Sequence, residues 1–120
     1  MISYEKNIIV SKTIQFSLTM IKYCEILYQE KKPVIAKQLL RSSTSIGANV
    51  IESQHSESPA DFLQKIKIAS KEAHETYYWL VLCEKSEGCK FELKYLTDLE
   101  EIVRIISRIM ITCKEKVNNK

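Results

Sequence analysis

Glycine and proline are scarce in this chain, with two of each among 120 residues. Sandwiches and barrels turn every few residues and lean on those two residue types, so an all-β architecture is excluded. No apolar run reaches the roughly 18 residues of a membrane span. No secretory h-region stands at the N-terminus, and the expected location is the cytoplasm. Four cysteines are present, Cys24, Cys83, Cys89 and Cys113, but none stands in a CxxC pair. The two histidines, His55 and His74, fall out of helical phase with them. A zinc site needs converging ligands, so no metal is expected and the thiols read as reduced core or boundary residues. Charge of one sign is also lacking: 18 basic and 15 acidic side chains interleave to a net +3. That balance permits nucleic-acid binding without demanding it.

What the chain does have is helical periodicity. Its length fits one domain over residues 1–120, burying roughly two-thirds of the unfolded surface. Ile9, Phe16, Met20, Tyr23 and Leu27 recur at three- and four-residue steps, with Thr13 in the gap, and predict a first helix over about 4–30. Pro33 disfavours helix at Lys32 and suits the first turn of a second helix, over 33–54. Ser58 as cap, Pro59 at the first position and Asp61 in the first turn predict a third helix over 59–87, with Phe62, Ile66, Ala69, Ala73, Tyr77 and Leu80 inward. Gly88 is placed for a left-handed cap at its end. A heptad row of Leu96, Leu99, Val103, Ile106, Met110, Cys113 and Val117 predicts the fourth helix, over 92–116. Four helices with short connections give an all-α, antiparallel up-down-up-down bundle.

The second helix has an odd composition. Ile35, Leu39, Leu40, Ile46, Gly47 and Val50 gather on a core side, yet between Ser42 and Val50 no long charged side chain occurs. Ordinary solvated helix faces are filled with Lys, Glu and Gln. Small residues let another backbone approach, so this composition argues for a second packed face. The third helix carries a matching second row, Ile68, Glu72, Glu75, Trp79 and Leu82. Folding the two helices as a hairpin about residues 55–58 sets Arg41 opposite Glu72. Arg41, Ser45, Asn49, Glu52, Glu72, Glu75 and Trp79 are therefore the candidate structural and assembly network, either specificity-giving or an ordinary boundary ion pair. Ile102, Ile105 and Ile109 add apolar surface to the fourth helix beyond its heptad row, and the excess implies another copy of the chain as partner.

The segment "QLLRSSTSIGANVIES" followed by "DFLQKIKIASKEAHETYYWL" resembles the bacterial 23S rRNA intervening-sequence protein family. The family's Arg-Ser-small-Ser-Ile-small-Ala-Asn-hydrophobic-Ala-Glu hallmark falls on Arg41, Ser42, Ser45, Ile46, Ala48, Asn49 and Glu52. Its second segment falls on Phe62, Ala69, Ser70, Glu72, Glu75 and Trp79. Ile51 stands where the family usually has Ala, and Ser53 where it commonly has Gly. The resemblance implies a homopentamer of four-helix bundles. More distantly, the chain is similar to the pentameric accessory protein of diversity-generating retroelements, which partners a reverse transcriptase and nucleic acid.

Three function classes then compete. A nucleic-acid accessory protein, for RNA or DNA, would use Lys37, Arg41, Lys65 and Lys71 as phosphate contacts. A protein-binding scaffold would present Tyr78 or Trp79. Catalysis is disfavoured and no catalytic residue or cofactor is expected: Glu72 and Glu75 share a face with no nucleophile, base or metal ligand set, and no phosphate-cradling Gly-rich loop occurs.

Overall fold

The computed structural model describes residues 6–119, so Tyr4 and Glu5 of the expected first helix lie outside the described residues. Four helices follow one another: α1 (Ile8–Gln29), α2 (Pro33–Ser53), α3 (Pro59–Lys85) and α4 (Lys94–Asn118). Each start has a local cause. Asn7 caps α1 by accepting from Val10 N at 3.3 Å, and Ser58 caps α3 by accepting from Asp61 N at 3.0 Å. Pro33 and Pro59 occupy first-turn positions, where a missing N–H leaves no bond unmade.

The end of α1 is a Schellman turn. Lys32 N donates to Leu27 O at 2.9 Å and Lys31 N to Tyr28 O at 3.0 Å. That geometry puts Lys31 at φ 61°, a conformation that favours glycine. At the end of α3 the capping residue is Ser86 in extended backbone, and Gly88, with φ 83°, bends the chain two residues later.

The helices pack in chain order around one core, with α2 against both α1 and α3, while the α1–α4 seam is the sparsest. Along the α2–α3 seam partner numbers fall as residue numbers rise, since Arg41 meets Glu72 and Glu52 meets Lys65. Asn7 Nδ2 donates to Gln54 Oε1 at 2.9 Å, tying the start of α1 to the end of α2. At the other end, Tyr23 OH donates to Lys90 O at 2.6 Å, and its ring packs on Phe91 and Tyr95. The Glu30 carboxylate accepts from Lys90 N at 3.1 Å, holding the α3–α4 connection against the end of α1.

Several core positions differ from the simple stripes. Tyr77 is half exposed and Thr76 takes the buried place on α3. Ile102, read as surplus, is fully buried, whereas Val103, Ile105, Ile109 and Met110 pack at its edge. Ile35, Leu40 and Phe62 likewise sit at the core boundary. On α2 the small residues Ser42, Ser43 and Gly47 are buried within the chain itself. A Cβ on Gly47 would come within 3.3 Å of Thr13, so that glycine is what lets α1 approach α2.

Candidate functional site

The most organised polar group lies on the α2–α3 seam. Arg41 extends from α2 toward two carboxylates one turn apart on α3. Its Nη1 lies 3.3 Å from Glu72 Oε2, and its Nη2 pairs with Glu75 Oε2. Trp79 Nε1 donates to the same Glu75 oxygen at 2.9 Å. Two carboxylates at this spacing repel each other, and one guanidinium between them removes the repulsion. The group is half exposed, so its net worth to monomer stability is under about 1 kcal/mol. Its consequence is positional: it fixes the rotation of α3 against α2 and holds the indole.

The remaining members of the sequence-derived network are not brought into this cluster. Ser45 Oγ donates to Arg41 O at 2.7 Å and Asn49 Nδ2 to Ser45 O at 2.9 Å, so both turn back on their own helix. Glu52 instead accepts from Lys65 Nζ at 3.5 Å, near the α2–α3 turn. Short hydroxyls and amides mid-helix commonly satisfy themselves on the preceding turn, and that local bond wins here over a cross-helix one.

The four proposed phosphate contacts are not all free. Arg41 and Lys65 are occupied by carboxylates, Lys37 is exposed on α2, and Lys71 points outward from α3. What the sequence reading missed is the company Lys71 keeps. Lys67, His74 and Tyr78 share its heptad row on the side of α3 opposite Ala69, Ala73 and Leu80, and all are exposed. The signal was available on a helical wheel as a basic and aromatic row with no carboxylate.

Catalytic features are sparse. Among the described residues no group of three or more His, Cys, Asp or Glu side chains is placed to hold a metal ion. Burial pushes the Cys24 thiol up to about 12 and the Cys83 thiol up to about 11, so both are protonated packing groups rather than nucleophiles. Burial raises the Tyr23 hydroxyl as well. No helix among the described residues is long and apolar enough to cross a membrane.

Four long helices packed around one core, with one polar clamp on the α2–α3 seam, define a helical-bundle protein. The model for the 23S rRNA-intervening sequence protein family matches residues 5–110, and the chain belongs to that family. It is similar to a crystal structure of a protein of unknown function from the S23 ribosomal protein family of Bacteroides thetaiotaomicron VPI-5482. The two share 38% identity at a TM-score of 0.78, over 85% of this chain and 97% of that one. No curated protein sequence matches the chain.

Proposed function

We propose that the chain is a non-enzymatic cytoplasmic accessory protein that assembles as a homopentamer of antiparallel up-down-up-down bundles and binds RNA. The carrying observation is local. On the outward side of α3, Lys67 and Lys71 are exposed and unpaired among the described residues, while the neighbouring acids Glu72 and Glu75 are engaged by Arg41. Free cations on a chain of small net charge attract phosphates locally, and repetition around a symmetric assembly multiplies the effect.

Assembly draws its support from α1 more than from α2. The small residues of α2 are largely consumed inside the chain, while Leu18, Ile21 and Tyr28 stand on the outside of α1, with Glu25 between the last two. Leu18 is 52%, Ile21 40% and Tyr28 49% exposed, apolar surface of the kind that a second copy covers. A protein-binding scaffold without nucleic-acid affinity is the second reading, favoured by Tyr78 at 55% exposure.

Native mass by light scattering, repeated with a structured RNA at low and moderate salt, tests the proposal. A pentamer that takes up RNA with a steep salt dependence is expected. A pentamer indifferent to RNA and DNA shifts the assignment to the scaffold, and a stable monomer removes the assembly.

A further inference from the structure

We propose that the outward side of α3 and its seam with α4 bind a single-stranded nucleic acid, with phosphates on Lys67 and Lys71 and an unstacked base in the groove beside Tyr77. This rests on the nucleic-acid reading above and gives it a place and a ligand form.

The first observation is the row itself. Gln64, Lys67, Lys71, His74 and Tyr78 follow one another at three- and four-residue steps, and all are exposed. At 1.5 Å rise per residue the row spans about 21 Å. It contains no carboxylate. The acids flanking it on the α2 side, Glu72 and Glu75, are held by Arg41. From α4 the facing charges are Glu100 and Arg104, one of each sign.

The second observation is a groove of about 400 Å³ between α3 and α4, beside the row. Leu99 and Val103 of α4 give it an apolar floor, and His74 and Tyr77 stand along its α3 side. This volume lies within the range of small-ligand sites, roughly 300–1,000 Å³. Tyr77 is 48% exposed, which leaves ring surface for stacking. His74 Nδ1 donates to Ser70 O at 2.7 Å, which pins the imidazole and leaves Nε2 as its free ring nitrogen. Glu100 supplies an acceptor and Arg104 a donor for a base edge.

Together these features select a strand form. Base faces inside a duplex are hidden, whereas a splayed base of a single strand stacks on an aromatic ring while its phosphates follow a cationic track. Stacking tolerates any base, so little sequence preference is expected.

Fluorescence anisotropy of the full chain with labelled oligo(A), oligo(dA) and an RNA duplex, at several salt concentrations, tests this. The single strands should bind at least about tenfold more tightly than the duplex, and Tyr77→Ala should weaken them about tenfold. Tyr77→Phe keeps the ring and should bind like the unaltered chain. The Lys67→Gln/Lys71→Gln pair should flatten the log-affinity against log-salt slope by about 1.4, the value for two phosphates on a single strand. A preference for oligo(A) would assign the site to RNA, and equal binding to single strands of either sugar; both support it. Circular dichroism should show Tyr77→Ala folded, since the ring is half in solvent. Equal affinity for the duplex, or binding unchanged by the Tyr77→Ala and lysine variants, overturns this site while the broader nucleic-acid reading stands. An unaltered chain that binds none of the probes overturns both.

Discussion

Thr76 Oγ1 on α3 donates to Ser42 Oγ on α2 across 2.9 Å, and neither side chain reaches solvent. Each hydroxyl also has an own-helix carbonyl as an alternative acceptor for its single proton, Glu72 O at 2.8 Å for Thr76 and Leu39 O at 3.4 Å for Ser42. Removing one member loses the bond between the helices and leaves the other only its own-helix carbonyl, so Ser42→Ala or Thr76→Val alone should cost about 1 kcal/mol. The double variant should cost less than the two losses added, because the one shared bond is lost in either single variant. Urea denaturation of the four proteins measures the coupling. Strict additivity would mean that the two hydroxyls do not support each other.

The same pair explains which parts of the molecule were legible in the sequence. From Ala73, both Thr76 and Tyr77 continue a helical stripe, and hydrophobicity favours the tyrosine. The structure buries Thr76 because Ser42 faces it, leaving room for a small side chain with a hydroxyl partner and none for a phenol ring. Single-helix periodicity carries no information on what stands opposite. Hairpin register does, and it placed Arg41 at Glu72, where the two meet. It could not show that Ser45 and Asn49 would bond back to their own helix, since that choice depends on side-chain reach. The row through Lys67, Lys71, His74 and Tyr78 was readable in principle, being the complement of a stripe already drawn.

Lys31 holds a left-handed backbone, φ 61°, to close the Schellman turn after α1. A side chain there costs on the order of 1 kcal/mol relative to glycine. Its own N–H and that of Lys32 do the capping, and both survive substitution. Lys31→Gly should therefore stabilise the chain, by up to about 0.5 kcal/mol once the greater freedom of unfolded glycine is counted. A rise in Tm is expected; a fall would mean that the lysine side chain contributes contacts outweighing the backbone strain.

The buried thiols predict an alkaline limit to stability. Burial raises Cys24 from 9.0 to about 12 and Cys83 from 9.0 to about 11. Tyr95 rises from 10.0 to about 12 through burial and then its bond to Glu92. For a group raised in the folded state, the native form keeps its proton while the unfolded form loses it. The contribution is present in full below the unfolded value near 9 and disappears as pH rises toward 11–12. Urea midpoints should fall between pH 9 and pH 11, and less steeply in Cys24→Ala or Cys83→Ala. Below pH 9 a thiol reagent should label half-buried Cys89 first and reach Cys24 and Cys83 only on unfolding. Equal labelling rates would contradict the packing described here.

The proposed assembly has two candidate contact surfaces, and one pair of variants separates them. Leu18 and Ile21 are apolar and exposed on α1, so Leu18→Glu together with Ile21→Glu should leave the bundle folded, with a native mass near that of one chain. The clamp at Arg41 acts differently. Arg41→Ala frees Glu72 and Glu75 to repel each other and loosens the hydrogen bond from Trp79, the only tryptophan in the chain, so its fluorescence should change. Because the ion pairs are half exposed, the loss of monomer stability should stay under about 1 kcal/mol. A fall in native mass larger than that loss can explain would place the α2–α3 seam at the subunit contact. Altered Trp79 emission with unchanged mass would confine the clamp to setting helix rotation within the chain, leaving α1 as the assembly face. If the Leu18→Glu and Ile21→Glu substitutions also left the mass of an oligomer intact, this apolar surface would not be the contact, and its exposure would point to a partner other than a second copy.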